Sequence, residues 1–255
     1  MIFIYRFRFI IFSLAFSQLI ATLGFVPVTR ASSLMPPANE YAIEFHPPLD
    51  RGAPDVKMGG AHRCSPSRFT PLIPLDTSRD YRGLTPNFGL TIRPNPTFWL
   101  QIRSGMEEMY FDIYEWDTQG RRWGELIYET SSDLPGTYGI LSISLPSDVA
   151  LEVGKTYHWY LDVLKSGEIA SKSGWIERVE VSSGLSSQIV SAETSLDRAR
   201  VYAEAGIWHE AFDILVRERR FADTPELEAE WEELLQSALG GSMPLPEFYE
   251  VSKCL

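Results

Sequence analysis

GTYGILSISLPSDVALEVGKTYHWYLDV, residues 136–163, carries two runs of period two joined by a proline-containing bend. Leu141, Ile143 and Leu145 alternate with Ser142 and Ser144, an apolar face backed by a polar one. Successive side chains of a strand point to opposite faces, so this spacing predicts a half-buried β-strand. In the second run Tyr157, Trp159, Leu161 and Val163 share one face, and His158, Tyr160 and Asp162 the other. Pro146 lacks an N–H and ends the first ladder, while Gly154 and Lys155 open the second strand.

Working outward, more strands of this kind appear. TPLIPL and GLTIR are short and bounded by prolines. PTFWLQIR sets Phe98, Leu100 and Ile102 against Trp99, Gln101 and Arg103. EMYFDIYEWD sets Met109, Phe111 and Ile113 against Tyr110, Asp112, Tyr114 and Trp116. DTQGRR supplies a turn, with Gly120 available for a positive φ, before RWGELIYET returns, and GWIERVEV closes the series. Six or seven short strands with no helical pattern between them predict an antiparallel, Ig-like β-sandwich over residues 69–182.

After Ser182 the period changes to three and four. Ile189, Ala192, Leu196, Ala199 and Ala203 form one helical stripe that Gly206 ends. A second stripe runs from Ile207 to Arg220 through Ala211, Ile214 and Leu215. A third begins at DTPEL, where Asp223 or Thr224 can cap and Pro225 suits the first turn, and ends at Gly240-Gly241. The expected fold class is therefore β + α: the sandwich, then a helical hairpin or three-helix segment over residues 185–241 and a tail at 242–255.

The N-terminus has the layout of a secretory signal. Arg6 and Arg8 precede a nearly continuous apolar run, and small residues lead to a cleavage point after Ala31, giving a signal peptide at 1–31. An uncleaved anchor over Phe9 to Val28 is the competing reading. Residues 32–68, rich in proline and glycine, read as a linker. The expected location is exported, periplasmic or extracellular.

The formal charge of the 255 residues is −11, and it becomes more negative without the three signal-segment arginines. So acidic a chain repels phosphate backbones and anionic headgroups, which argues against nucleic acid and against membrane contact beyond the signal. Two isolated cysteines, Cys64 and Cys254, and four scattered histidines make no zinc pattern.

Several phrases in consistent order, GLTPNFGLTIRPNPTFWLQI, PGTYGILSISLP, LEVGKTYHWYLDV, SGWIERV and YAEAGIWHEAFDIL, make the chain similar to domain of unknown function 928, a family of exported cyanobacterial proteins. The resemblance covers about residues 58–240 and implies a sandwich-like β-domain followed by helices, with no established activity and no catalytic residues to carry over. It also implies a cysteine near the end of KTYHWYLDVL, paired with the one matching Cys64. Here that position is Leu164, and the loop KSGEIASKSG reads as shortened. YAEAGIWHEAF further resembles the turn of a tetratricopeptide unit, but no second copy follows, so a single docked hairpin is the expectation.

Catalytic and cofactor motifs are absent from the sequence: no GxSxG, HExxH, SxxK or GxxxxGK[ST] occurs. Asp112 and Glu115, the carboxylates nearest a sugar-hydrolysing pair, fall on opposite faces of their strand. Trp99, Tyr110, Tyr114, Trp116 and Tyr160 lie on the faces opposite the aliphatic stripes. They are a platform for sugar rings or peptide if those faces are solvated, and core if the helices cover them. The sequence thus points to a non-enzymatic exported interaction or envelope-associated module with a protein or envelope partner and no cofactor. A carbohydrate-binding or glycan-processing protein using the strand aromatics is the alternative.

Overall fold

The structure, a computed structural model, describes residues 42–55, 69–79, 85–103, 105–119, 121–134 and 139–239. Residues 1–31, read as a signal, and Cys64, Cys254, Gly120 and Gly240-Gly241 lie outside the described residues. Among the described residues, eight strands form two sheets. Strands β1 (Phe69–Pro71), β3 (Thr97–Ile102) and β6 (Gly139–Ser144) make a three-stranded sheet in the order β1-β3-β6. Strands β2 (Asn87–Thr91), β4 (Glu108–Asp117), β5 (Arg122–Asp133), β7 (Thr156–Lys165) and β8 (Glu168–Arg178) make a five-stranded sheet in the order β2-β8-β7-β4-β5.

The alternating stripes face each other as the sandwich interior. Phe98, Leu100 and Ile102 of β3 and Leu141 and Ile143 of β6 come from one sheet. Met109, Phe111 and Ile113 of β4 and Tyr157, Trp159, Leu161 and Val163 of β7 come from the other, and all are 2 % exposed or less. Phe98 meets Phe111 at 4.9 Å and Trp159 at 6.3 Å between ring centroids.

Three features of the strands differ from what chain order and spacing suggest. The runs within residues 136–163 are not partners: β6 pairs with β3, β7 lies between β4 and β8, and the chain crosses from one sheet to the other between them. Nor is the sandwich wholly antiparallel. β2 runs parallel to β8, with Phe88 opposite Trp175 and Leu90 opposite Glu177, because β2 enters from the first sheet's side rather than through a hairpin. The stretch KSGEIASKSG is no shortened loop either; Ser166-Gly167 makes a tight turn, both residues at positive φ, and EIASKSG runs back as β8.

Four helices follow where three stripes were read: α1 (Ser183–Ser191), α2 (Ser195–Glu204), α3 (Trp208–Phe221) and α4 (Pro225–Leu239). The first stripe is divided because Thr194 caps α2. Its hydroxyl accepts from the Asp197 N–H, and the Asp197 carboxylate accepts from the Thr194 N–H, a reciprocal arrangement that fixes a new helix start. α4 is capped by Thr224, whose hydroxyl accepts from the Leu227 N–H at 3.3 Å.

The first turn of α3 ties both sheets together. Trp208 Nε1 donates to the Leu72 carbonyl at 2.8 Å, just beyond β1, and His209 Nδ1 lies 3.1 Å from the Thr97 carbonyl in β3. Glu210 reaches β2: its Oε1 accepts from Thr91 Oγ1 at 2.7 Å and from the N–H groups of Ile92 and Arg93 at 3.3 and 3.2 Å. Asp213, one turn on, holds Arg93 at 2.9 Å. The remainder of α3 builds an aromatic core with its neighbours, Trp208 on Phe212 at 5.0 Å and Phe212 on Trp231 of α4 at 5.1 Å.

Within the stretch read as linker, residues 42–55 are described, and Ile43, Phe45 and Ala53 among them are buried. Ile43 and Phe45 are buried among the helices, Phe45 meeting Trp208 edge-on at 5.3 Å. Their N–H groups donate to Glu230 and Ser237 of α4, and the His46 N–H to the Ala203 carbonyl of α2. This strap crosses Gly206, where an added Cβ would sit 3.0 Å from the His46 carbonyl and 3.1 Å from Pro48; the residue also has φ +72°. Gly206 thus ends α2 and admits the strap at once. If the strap is core and not linker, Phe45→Ala should cost about 3–5 kcal/mol. Urea denaturation checks this; an unchanged midpoint would return the segment to the status of a linker.

Candidate functional site: the outer face of the five-stranded sheet

Directly opposed residues in neighbouring strands share a face, so the pairing fixes which side chains form rows across the outer surface. One row runs Leu126, Tyr114, His158, Trp175 and Phe88 across β5, β4, β7, β8 and β2. The next runs Glu129, Asp112, Tyr160 and Ser173, and the third Ser131, Tyr110, Asp162 and Ser171. The face therefore grades from aromatic at one end to hydroxyl and carboxylate at the other.

The aromatic end is anchored under the helices. Phe88, Leu90, Trp116, Trp175 and Val179 are buried with Ala53 of the strap and Ile207 of the α2–α3 joint. From there the rings step outward into the open. Trp116 packs edge-on against Trp175 at 5.1 Å and against Trp123 at 5.5 Å, and Trp123 lies 4.4 Å from His158 and 5.2 Å from Tyr160. The Trp123 and Trp175 planes are parallel to within 1° at 6.3 Å, and His158, tilted 39° to both, touches each, lying 4.1 Å from Trp175. One side of the Trp123 indole is thus laid on a bed of rings. The residue is still 46 % exposed.

The five aromatics singled out from the sequence separate in space. Trp99 belongs to the other sheet and is 4 % exposed, covered by Phe212 of α3 and by the Arg220 guanidinium 5.3 Å above its ring. Trp116 is 7 % exposed and serves as bed. Tyr110, Tyr114 and Tyr160 remain on the open face, Tyr110 being 47 % exposed and Tyr114 and Tyr160 half-buried and 6.1 Å apart. The residue that sequence reasoning missed is Trp123. Its signal was the turn at DTQGRR, because the hairpin register places Trp123 opposite Trp116.

Around these rings sit unmatched carboxylates. Burial, with Glu129 and then Asp162 beside it, pushes the Asp112 carboxyl up from its ordinary value. Tyr160 is raised by burial and by its neighbours Tyr114 and Asp162. Tyr110 donates to Glu108 at 2.5 Å, and that bond raises its phenol as well. Glu115 turns away to Lys155 at 2.9 Å, so Asp112 and Glu115 do not act as a pair. Among the described residues no group of three or more His, Cys, Asp and Glu side chains could hold a metal ion, and no helix is long and apolar enough to cross a membrane.

Two histidines are sealed in apolar surroundings. His158, 2 % exposed among Trp123, Tyr160 and Trp175, is pushed down to about 3 by burial. His209 is pushed down to about 4, again chiefly by burial. In the unfolded chain both protonate near 6.5, so stability is full above that pH and falls as the pH drops towards 4. Glu210, whose carboxyl is raised by burial, acts in the opposite sense as acid neutralises it. Each histidine contributes a slope of up to about 1.4 kcal/mol per pH unit. His158→Phe should flatten the decline between pH 6.5 and 5 in urea midpoints; an unaltered slope would mean that His158 takes up its proton in the folded state.

A family model described as Domain of Unknown Function (DUF928) matches residues 51–242. No curated protein matches the sequence. Among solved structures, one titled "Structure of T.fusca AA10A" is similar at 12% identity and a TM-score of 0.29, over 48% of this chain and 70% of that chain. A likeness at that level supports no statement about this chain. The family match takes in residues 51–55 of the strap, both sheets and the four described helices, and the chain belongs to the DUF928 family.

Proposed function

We propose that the protein is an exported, non-enzymatic binding module of the cell envelope, and that it holds a carbohydrate on the outer face of β4, β5 and β7. The observation that carries this reading is Trp123, an indole packed at a 39° tilt against His158, 4.4 Å away, and still 46 % exposed. A rigid, half-exposed ring loses little entropy when a sugar stacks on it, and apolar C–H faces gain from the contact. Tyr114 and Tyr160 extend the ring surface, and Asp112, Glu129 and Asp162 lie in the next rows as acceptors for hydroxyls.

We also infer that the sandwich is Ig-like. The order β1-β3-β6 against β2-β8-β7-β4-β5, with a first strand divided between the sheets, supports this. So does Tyr157, near the start of β7, whose hydroxyl accepts the Glu152 N–H at 2.8 Å in the preceding connection, as in the tyrosine corner of such domains. In a fold of this kind the sheet faces and loops are free to carry binding, and nothing in the scaffold calls for chemistry. Export rests on the signal-like residues 1–31.

Glycan-array binding tests the reading. Retention of a glycan by the wild type, lost by at least about tenfold in Trp123→Ala and Tyr160→Ala while Trp99→Ala is measured as a buried control, is expected. Circular dichroism and a denaturation midpoint establish that each variant is folded. Retention that survives Trp123→Ala, or no glycan retained beside a protein partner recovered from envelope extract, would move the function from sugar to protein.

A further inference from the structure

We propose that the free edge of β5 accepts an extended, lysine- or arginine-bearing segment of a partner protein as an added strand. β5 is twelve residues long and ends the five-stranded sheet; among the described residues no strand lies on its far side. Alternate residues of such an edge turn their N–H and C=O groups away from the sheet, which is the template for strand addition. The opposite edge is closed. There the Phe88 N–H of β2 donates to the Pro74 carbonyl, Asn87 bridges to Leu75, and α3 packs beside it.

In the half of β5 that runs Tyr128–Asp133, the only edge protection is acidic charge. It has no proline and no lysine. Two register shifts against β4 irregularise it beside Tyr114, but Tyr128–Asp133 runs in regular register opposite Glu108–Ile113. That regular half ends in a shallow cavity of about 270 Å³ lined by Glu108, Tyr110, Ser131, Ser132 and Asp133. An added strand would thus find main-chain partners along Tyr128–Asp133 and an acidic recess for one cationic side chain at its end.

Charge selects the occupant. Glu129 and Asp133 are exposed on the strand and Glu108 lies across from Asp133. A second copy pairing through the regular half would bring Glu129 and Asp133 close to their own counterparts, and a longer pairing would have to run through the irregular half. Like charges across a strand pair are destabilising, so a basic segment fits and a second copy does not. The edge lies beside the aromatic face and shares only Tyr110 with it, leaving Trp123, Tyr114 and Tyr160 untouched, so this inference goes beyond the carbohydrate reading and does not depend on it.

The full chain is titrated with two fluorescent ten-residue peptides, one alternating lysine with threonine and one alternating glutamate with threonine, and hydrogen exchange is followed by mass spectrometry. The lysine peptide should bind and slow exchange in Tyr128–Asp133, the glutamate peptide should not, and Asp133→Lys should weaken the lysine peptide by about fivefold or more. Trp123→Ala should leave peptide binding intact, which separates failure of this surface from failure of the sugar platform. Protection elsewhere than β5, equal binding of both peptides, or a dimer whose β5 amides are protected without peptide would overturn the proposal. The comparison of the two peptides on the wild type stands even if Asp133→Lys does not fold.

Discussion

Three consecutive side chains at the start of α3 hold the two sheets and the helices in one body. Trp208 is bonded beyond β1, His209 contacts β3 and Glu210 binds the end of β2. β1 and β3 belong to one sheet and β2 to the other, so a single helical turn spans the seam of the sandwich. The cost of burying Glu210 is offset by donors that converge on one oxygen, and Arg93 is shared with Asp213 beneath. Removing one partner from such a set leaves a buried group without its bond, which is why the joint is brittle as well as strong. The helices are thus part of the sandwich's closure and not an appendage.

The strands were legible because a period of two has no helical reading. Met109, Phe111 and Ile113, and Tyr157 to Val163, are buried as their spacing predicts. Pairing was not legible. β6 and β7 are adjacent in the chain and lie in different sheets, because sequence periodicity carries the face of a residue but not the identity of its neighbour strand. The parallel contact of β2 with β8 joins residues almost ninety positions apart, beyond the reach of any local signal. In the helical part the stripe from Ile189 to Ala203 was continuous in period, yet Thr194 and Asp197 divide it. Capping chemistry overrode periodicity there.

The candidate site was half legible for the same reason. Alternation placed Tyr110, Tyr114, Trp116 and Tyr160 on the outer side of their strands, and that placement holds in the structure. Which of them meet solvent depends on what lies above, and Trp99 shows the difference: same pattern, other sheet, covered by α3. Trp123 sat in a strand with weaker alternation and became visible through its hairpin partner Trp116. His158 was read as an unremarkable strand residue. Tyr160 shares its strand, but the other two rings around it, Trp123 of β5 and Trp175 of β8, come from strands that no single stretch contains.

The strap gives the molecule an order of assembly. Ile43 and Phe45 bond to Glu230 and Ser237, partners 187 and 192 positions later in the chain. Closing a loop of that length costs entropy that grows slowly with length but must be met before the contact forms, and contacts so distant set a slow final step. A chain that emerges from its N-terminus first therefore holds Ile43 and Phe45 uncovered until α4 is complete. The sheets can pair beforehand, but Trp208, Phe212 and Trp231 lack one wall of their core until the strap returns. Among the described residues, the last helix is the one on which the first segment docks, so the same contacts tie together the two ends of the described fold.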